Sequence, residues 1–198
     1  HRRVDLLHPT YYDPYVLRIG RSVPLVLTVF DMIHETYQST FFSDDQGTSM
    51  NKRRLVEAAR RVIAISEHTK QQLVSHFCVN PAKVYVVYPG IGEYSQEIAQ
   101  SCRSSAHPFA LFVGTRWGYQ NFATMLDGLV ALLRRYPELR LVCAGGGSFT
   151  AAESSKIRDE RLEGRVVQES VSDFRLRSLY RSASVLVYPS LCEGFGMP

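Results

Sequence analysis

The chain has one tryptophan and four cysteines in 198 residues, and it has no apolar run long enough to cross a bilayer. Nothing near His1 has the charged start and apolar stretch of a signal peptide. The cysteines are Cys78, Cys102, Cys143 and Cys192. No two of them stand at metal-ligand spacing, which excludes a zinc finger or ribbon and favours free thiols in a reducing compartment. Neither sign of charge dominates, the formal net charge being +4. The short basic clusters Lys52–Arg54 and Arg60–Arg61 read as solvated helix faces. The alternative for them is attraction to anionic lipid or phosphorylated ligands. There is no nucleic-acid-binding motif, no internal repeat and no low-complexity tract.

What is present is a core-forming composition, 45% hydrophobic, arranged as short Val/Ile/Leu runs alternating with longer amphipathic ones. The runs predict strands over Val4–Leu7, Leu25–Val29, Val62–Ile65, Val84–Val87, Phe109–Val113, Leu139–Ala144, Val166–Val167 and Val185–Tyr188. Most are apolar on both faces, as in a parallel sheet covered by helices on each side. The amphipathic spacing predicts helices over Asn51–Ala59, His68–Phe77, Asn121–Tyr136 and Asp173–Ser182, with Ser66 and either Ser172 or Asp173 as N-caps. Such alternation indicates a doubly wound α/β class. The polar stretch after Tyr88 interrupts it. The expected organisation is therefore a first Rossmann-like unit over 1–90, a linker over 91–107 and a second unit over 108–198. Each unit lacks elements of a complete doubly wound domain, so the chain reads as the middle of a longer two-domain protein.

Three strand ends carry chemistry. Just before "SLCEGFGMP", Pro189 ends a strand expected to be buried; within it, Gly194 and Gly196 permit close backbone approach, and Pro198 suits the first turn of a helix. Amides around Gly196 and Met197 would then form an anion site at the carboxyl end of a parallel strand. Glu193 beside them would repel a phosphate alone, but it suits a ligand that also carries hydroxyls or developing positive charge. The bland reading is a surface turn with a solvated Glu. In "FALFVGTRWGYQNF", Arg116 can fork onto phosphate oxygens after the turn at Gly114. In "LVCAGGGSF", a strand runs into Gly145, Gly146 and Gly147 without the spacing of a dinucleotide fingerprint. Three strands ending in loops with little side-chain bulk predict a ligand crevice at one sheet edge.

With the runs "TVFDMIHE", "AARRVIAISEHTKQQL", "KVYVVYPG", "FVGTRWGYQNF", "VSDFRLRSLYRSASVLVYPS" and "EGFGMP" in this order, the chain resembles the retaining glycosyltransferases of family 4. The resemblance implies the GT-B fold of two Rossmann-like domains, both incomplete here. It implies a nucleotide diphosphate sugar bound mainly by the second domain, an acceptor on the first, and no metal or other cofactor. By position, Glu193 matches the first Glu of the family's paired-glutamate motif beside the donor sugar. The amides of Gly194, Phe195, Gly196 and Met197 match those holding sugar hydroxyls and phosphate. Arg116 matches the diphosphate-neutralising arginine, with Gly114, Gln120, Asn121, Gly145 and Gly146 completing the donor side. Val171 and Asp173 fall at the nucleobase, and Asp31, His34 and Glu35 on the first-domain loop facing the acceptor cleft.

Three departures stand out. Gln120 replaces a usual Lys, Phe30 replaces a frequent His, and the second Glu of the pair falls beyond Pro198. The implied activity is retaining transfer of a hexose to a glycan or lipid-linked acceptor, in a cytoplasmic protein with possible peripheral membrane contact. The 198-residue chain by itself is expected to be inactive. The rivals are a GT-B nucleotide-sugar epimerase, a phosphorylase, for which no pyridoxal phosphate lysine motif is visible, and a non-catalytic sugar-nucleotide-binding or partner module. Blander readings hold for several residues. His34 is equally a capping or loop histidine, His8 is structural, His68 and Lys70 are solvated, and Trp117 is as well an exposed loop aromatic as a donor cover. Tyr11, Tyr12 and Tyr15 pack.

Overall fold

A computed structural model describes residues 4–19, 23–90 and 107–197. The linker expected over 91–107, apart from His107, lies outside the described residues, as do Cys102 and Pro198. The chain divides into two compact units, His1–Gly92 with Cys192–Met197, and Glu93–Leu191 with Pro198. No helix among the described residues is long and apolar enough to cross a membrane.

In the first unit, β1 (Val26–Val29), β2 (Arg61–Ala64) and β3 (Val84–Val86) form a parallel sheet in that order. The register pairs Val26 with Arg61 and Val62 with Val84. Around them lie α1 (Val16–Ile19), α2 (Ile33–Thr36), α3 (Gln38–Phe41), α4 (Gln46–Ala58) and α5 (Glu67–Phe77). Leu27 and Val29 from β1, Val62 and Ala64 from β2, and Leu55, Val56, Leu73 and Phe77 from the helices make one buried cluster. The expected strand over Val4–Leu7 is a single parallel bridge, Leu7 to Leu25, with Val4 and Leu6 exposed. The Leu7 amide donates to Pro24 O and the Val26 amide to Leu7 O. The next rung would need an amide at Pro9, which has none, so the ladder stops.

In the second unit, β4 (Phe109–Val113), β5 (Arg140–Ala144), β6 (Val166–Glu169) and β7 (Val185–Leu186) form a parallel sheet in the order β6-β5-β4-β7. The period of two separates its layers. Ala110, Phe112, Leu141 and Cys143 point to α6 (Phe122–Arg135) and α7 (Ala151–Asp159). Phe109, Leu111, Val142 and Ala144 point the other way, to α8 (Asp173–Ser182). Phe112 meets Phe122 edge to face at 5.1 Å. Fully burying each such ring contributes about 1.5–3 kcal/mol.

Several elements depart from the sequence expectation. α4 starts at Gln46 rather than Asn51, because Asp45 caps it by accepting from the Thr48 amide at 3.1 Å. α7 was not expected. Its signal was Thr150-x-x-Glu153, and the structure forms that reciprocal capping box. The run Val185–Tyr188 was expected to be a buried strand, but its regular part is Val185–Leu186 and both residues are exposed. β7 is an edge strand, paired only to β4 among the described residues. Lys52, expected on a solvated face, is 1% exposed.

Candidate functional site

At the carboxyl edge of the second unit's sheet, β5 and β6 lie to one side of β4 and β7 to the other. Crossovers leaving in opposite directions open a crevice at such a switch point. The loop after β4 ties its neighbours together. Gly114 N donates to Ala144 O at 3.0 Å, and Arg116 reaches across to the loop after β5. Its Nε donates to Glu153 Oε1 at 3.0 Å, Nη1 to Gly145 O at 3.1 Å, and Nη2 to Gly147 O at 2.9 Å and Ser148 O at 2.8 Å. Its side chain is 4% exposed, between the rings of Phe122 and Phe149. A guanidinium has five N–H groups. Four are engaged here, so the fork that sequence reasoning aims at phosphate oxygens holds peptide carbonyls.

Gly146 has φ +69°, and a Cβ there would lie 2.7 Å from Gly114 O and 2.8 Å from Arg116 Nη1. No side chain fits. On the other flank, Asn121 takes the left-handed conformation that starts α6 and donates from Nδ2 to Pro189 O at 3.2 Å. The Leu191 amide donates to Tyr119 O at 2.8 Å. The β4 loop thus fixes the loops after both β5 and β7. Gln120, in place of a cationic residue, accepts from Thr115 Oγ1 at 2.8 Å and lies against Gly114. Val171 packs partly into the α8 layer, and Asp173 is exposed in the first turn of α8 behind the Ser172 cap. Under this edge, burial pushes the Cys143 thiol up to about 12.

Glu193 and Gly194 belong with the first unit. Gly194 sits flush on the backbone leaving β1. A Cβ there would come within 1.8 Å of Phe30 O and 3.2 Å of Asp31 Cβ. Gly194 O accepts from the Ser66 hydroxyl, with Thr69 Oγ1 at 3.3 Å. Ser66, the N-cap of α5, also accepts from the Thr69 amide at 3.0 Å, so one pair of hydroxyls starts the helix and anchors the segment. Sequence reasoning found Ser66 as a cap and missed Thr69. Cys192 is bracketed by Gln72 Nε2 at 3.7 Å and by Nε2 of His68 at 3.6 Å, His68 being exposed as expected. Burial raises the Cys192 pKa. Glu193 Oε1 is buried with no partner among the described residues. No helix is formed through Met197, so the expected helix N-terminus is not among the described elements; Gly196 (φ +81°) and half-exposed Phe195 and Met197 close the segment.

The expected acceptor-side residues part company. Asp31 turns its side chain back onto the chain just before α2, Oδ1 accepting from the Ile33 amide at 3.1 Å. Glu35 is 4% exposed and accepts from Lys52 Nζ at 2.8 Å, its other oxygen having no partner among the described residues. His34 points elsewhere, stacked on Phe42 at 4.1 Å and 3.5 Å from Asp45 Oδ2. Tyr12 is buried and its hydroxyl accepts from the Phe30 amide at 3.2 Å, whereas Tyr11 and Tyr15 are exposed. His8 meets Thr28 Oγ1 at 2.9 Å, as a structural histidine would. Trp117 is half-exposed.

A family model described as Glycosyltransferase Family 4 matches residues 1–92, and one described as Glycosyl transferases group 1 matches residues 95–198. The chain belongs to glycosyltransferase family 4. This family 4 chain is 30% identical to a D-inositol 3-phosphate glycosyltransferase of Kribbella flavida, over 98% of its own length and 51% of the relative's. It is 26% identical to the O-antigen chain mannosyltransferase RfbU of Salmonella typhimurium, over 72% of its length and 39% of the relative's. It spans about half the length, or less, of the curated relatives it matches. Among solved structures it is similar to Anabaena HepE in complex with UDP and glucose, at TM-score 0.73 and 17% identity, covering 97% of this chain and 55% of that one. It is also similar to sucrose-phosphate synthase of Thermosynechococcus elongatus, at TM-score 0.68 and 21% identity, covering 98% and 52%. These likenesses show the GT-B fold.

Proposed function

We propose that the protein carrying this family 4 chain is a retaining glycosyltransferase that moves a hexose from a nucleotide diphosphate sugar to a glycan or lipid-linked acceptor. The observation that carries the reading is Glu193. Its carboxylate keeps a buried oxygen without a partner among the described residues, on a segment whose next residue is locked against Phe30 and Ser66. A buried carboxylate oxygen without a partner is costly. It is put to use if the ligand brings hydroxyls, or positive charge in an oxocarbenium-like state. Retention then proceeds by front-face displacement, with Glu193 positioning the sugar and offsetting its charge.

In this reading the glycine-lined edge of the second unit receives the diphosphate without a metal, through the amides of Gly146 and Gly147, because those of Gly114 and Gly145 already donate to Ala144 O and Glu169 O. Arg116 shapes that loop from behind, with one Nη1 proton left without a partner among the described residues. Val171 and Asp173 border the nucleobase, and Asp31 lies on the acceptor side. The names of the curated relatives, acting on D-inositol 3-phosphate and on an O-antigen chain, support a polyol or saccharide acceptor. The net charge of +4 supports peripheral contact with an anionic membrane from the cytoplasmic side.

A second reading, a sugar-nucleotide-binding module without turnover, is favoured by the engagement of Arg116 and by Gln120 at a cationic position. Incubating the full-length protein with UDP-, GDP- and ADP-hexoses and following donor hydrolysis and transfer separates the two. Turnover that retains the anomeric configuration supports the transferase. Nucleotide binding with no hydrolysis or transfer supports the module.

A further inference from the structure

We propose that Lys52 is a positioning residue for Glu193, acting through the backbone of Asp31; this rests on the transferase reading above. Lys52 lies on α4, is 1% exposed, and directs its ammonium at the turn leaving β1. Nζ donates to Asp31 O at 3.0 Å and to Glu35 Oε2 at 2.8 Å, with Asp31 Oδ1 at 3.9 Å and the Tyr12 ring centre at 5.1 Å. The same turn is held on every side. The Phe30 amide donates to Tyr12 Oη, Phe30 O lies 3.4 Å from Thr69 Oγ1, and Asp31 Oδ1 accepts from the Ile33 amide.

Gly194 rests on the peptide just before the one whose carbonyl Lys52 holds, with no room for even a methyl group between its Cα and Phe30 O. A shift of the Phe30–Asp31 peptide therefore moves the residue next to Glu193. A buried lysine is a poor choice if only stability is at stake, because an apolar pair of the same size holds a core at least as well. What the ammonium adds is direction, since it fixes a carbonyl at a set distance.

Removing the ammonium alone strands the Glu35 carboxylate and could unfold the unit. The test therefore uses Lys52→Met combined with Glu35→Leu in the full-length protein, with the fold checked by circular dichroism. Two readouts are taken. One is the alkylation rate of Cys192, resolved by mass spectrometry, because Cys192 adjoins Glu193 and is partly covered. The other is the split between kcat and UDP affinity. The expected result is severalfold faster Cys192 alkylation and a kcat lower by on the order of 10–100-fold, with UDP affinity unchanged. A folded double variant with wild-type Cys192 alkylation overturns the proposal. If the wild type turns over no donor, the transferase reading fails by itself, and the Cys192 rate alone still decides whether Lys52 holds the segment.

Discussion

Each unit buries one cation at the carboxyl end of its sheet, and the two are used differently. In the first, Lys52 takes one carbonyl, Asp31 O, and one carboxylate, Glu35. In the second, Arg116 takes three carbonyls, those of Gly145, Gly147 and Ser148, and the carboxylate of Glu153. The partner carboxylates differ as well. Glu153 spends its second oxygen on the Thr150 amide at 2.7 Å, whereas Glu35 keeps one oxygen without a partner among the described residues. A point charge fixes one peptide, while a planar fork shapes a whole loop. The second unit's edge is thus a finished backbone scaffold, and the first unit's edge retains unspent carboxylate oxygens on Glu35 and Glu193.

The contrast is broken most severely at Arg116. Arg116→Ala leaves Glu153 buried and frees three carbonyls, so the second unit should lose about 3–5 kcal/mol, read as a lower midpoint in urea unfolding. Arg116→Lys should restore only part of this, because an ammonium cannot span the same carbonyls. Equal stability of the Ala variant and the wild type would show the fork to be incidental.

Gly194→Ala should act on function rather than on the core. Its Cβ would meet backbone, not a flexible side chain, so the Glu193 segment must lift. Turnover in the full-length protein should fall by on the order of 10²-fold while affinity for the donor's nucleoside diphosphate holds. Unchanged turnover would mean that the segment has slack.

The smallest expected effect is at Asp45. Bonds from the Thr48 amide and hydroxyl hold its carboxyl below the usual carboxylate range. A lowered folded pKa stabilises above the unfolded value and is lost as pH falls through the folded one. Asp45→Ala should therefore cost about 1 kcal/mol at neutral pH. The gap from wild type should close in acid, and a pH-independent difference in thermal midpoint would contradict the cap.

The sequence showed the parallel sheets well where both faces are covered. β4 and β5 read as unbroken apolar runs because α6 and α7 cover one side and α8 the other. β7 misled for the same reason, since an apolar run reads as buried whether or not anything covers it. Asp45 was legible as a cap only to a reader willing to start a helix with Gln46-Gly47, and glycine argues against that. Glu193 and Gly194 were found through their motif, but the reason for Gly194 lies in Phe30, far away in sequence. Lys52 was hidden among Lys-Arg-Arg, because a charge run carries no sign of which member turns inward. Arg116 was rightly singled out, yet its carbonyl partners depend on how the glycine loop after β5 folds back, which composition does not encode.

The most direct test of the central claim is Glu193→Gln in the full-length protein, with turnover and affinity for the donor's nucleoside diphosphate measured on the same preparation. The neutral isostere keeps the shape and removes the charge. If Glu193 acts on the sugar, kcat should fall by on the order of 10²–10³ while the donor's nucleoside diphosphate, which has no hexose, binds as before. A wild-type kcat in the folded variant would reduce Glu193 to a structural residue and contradict the account.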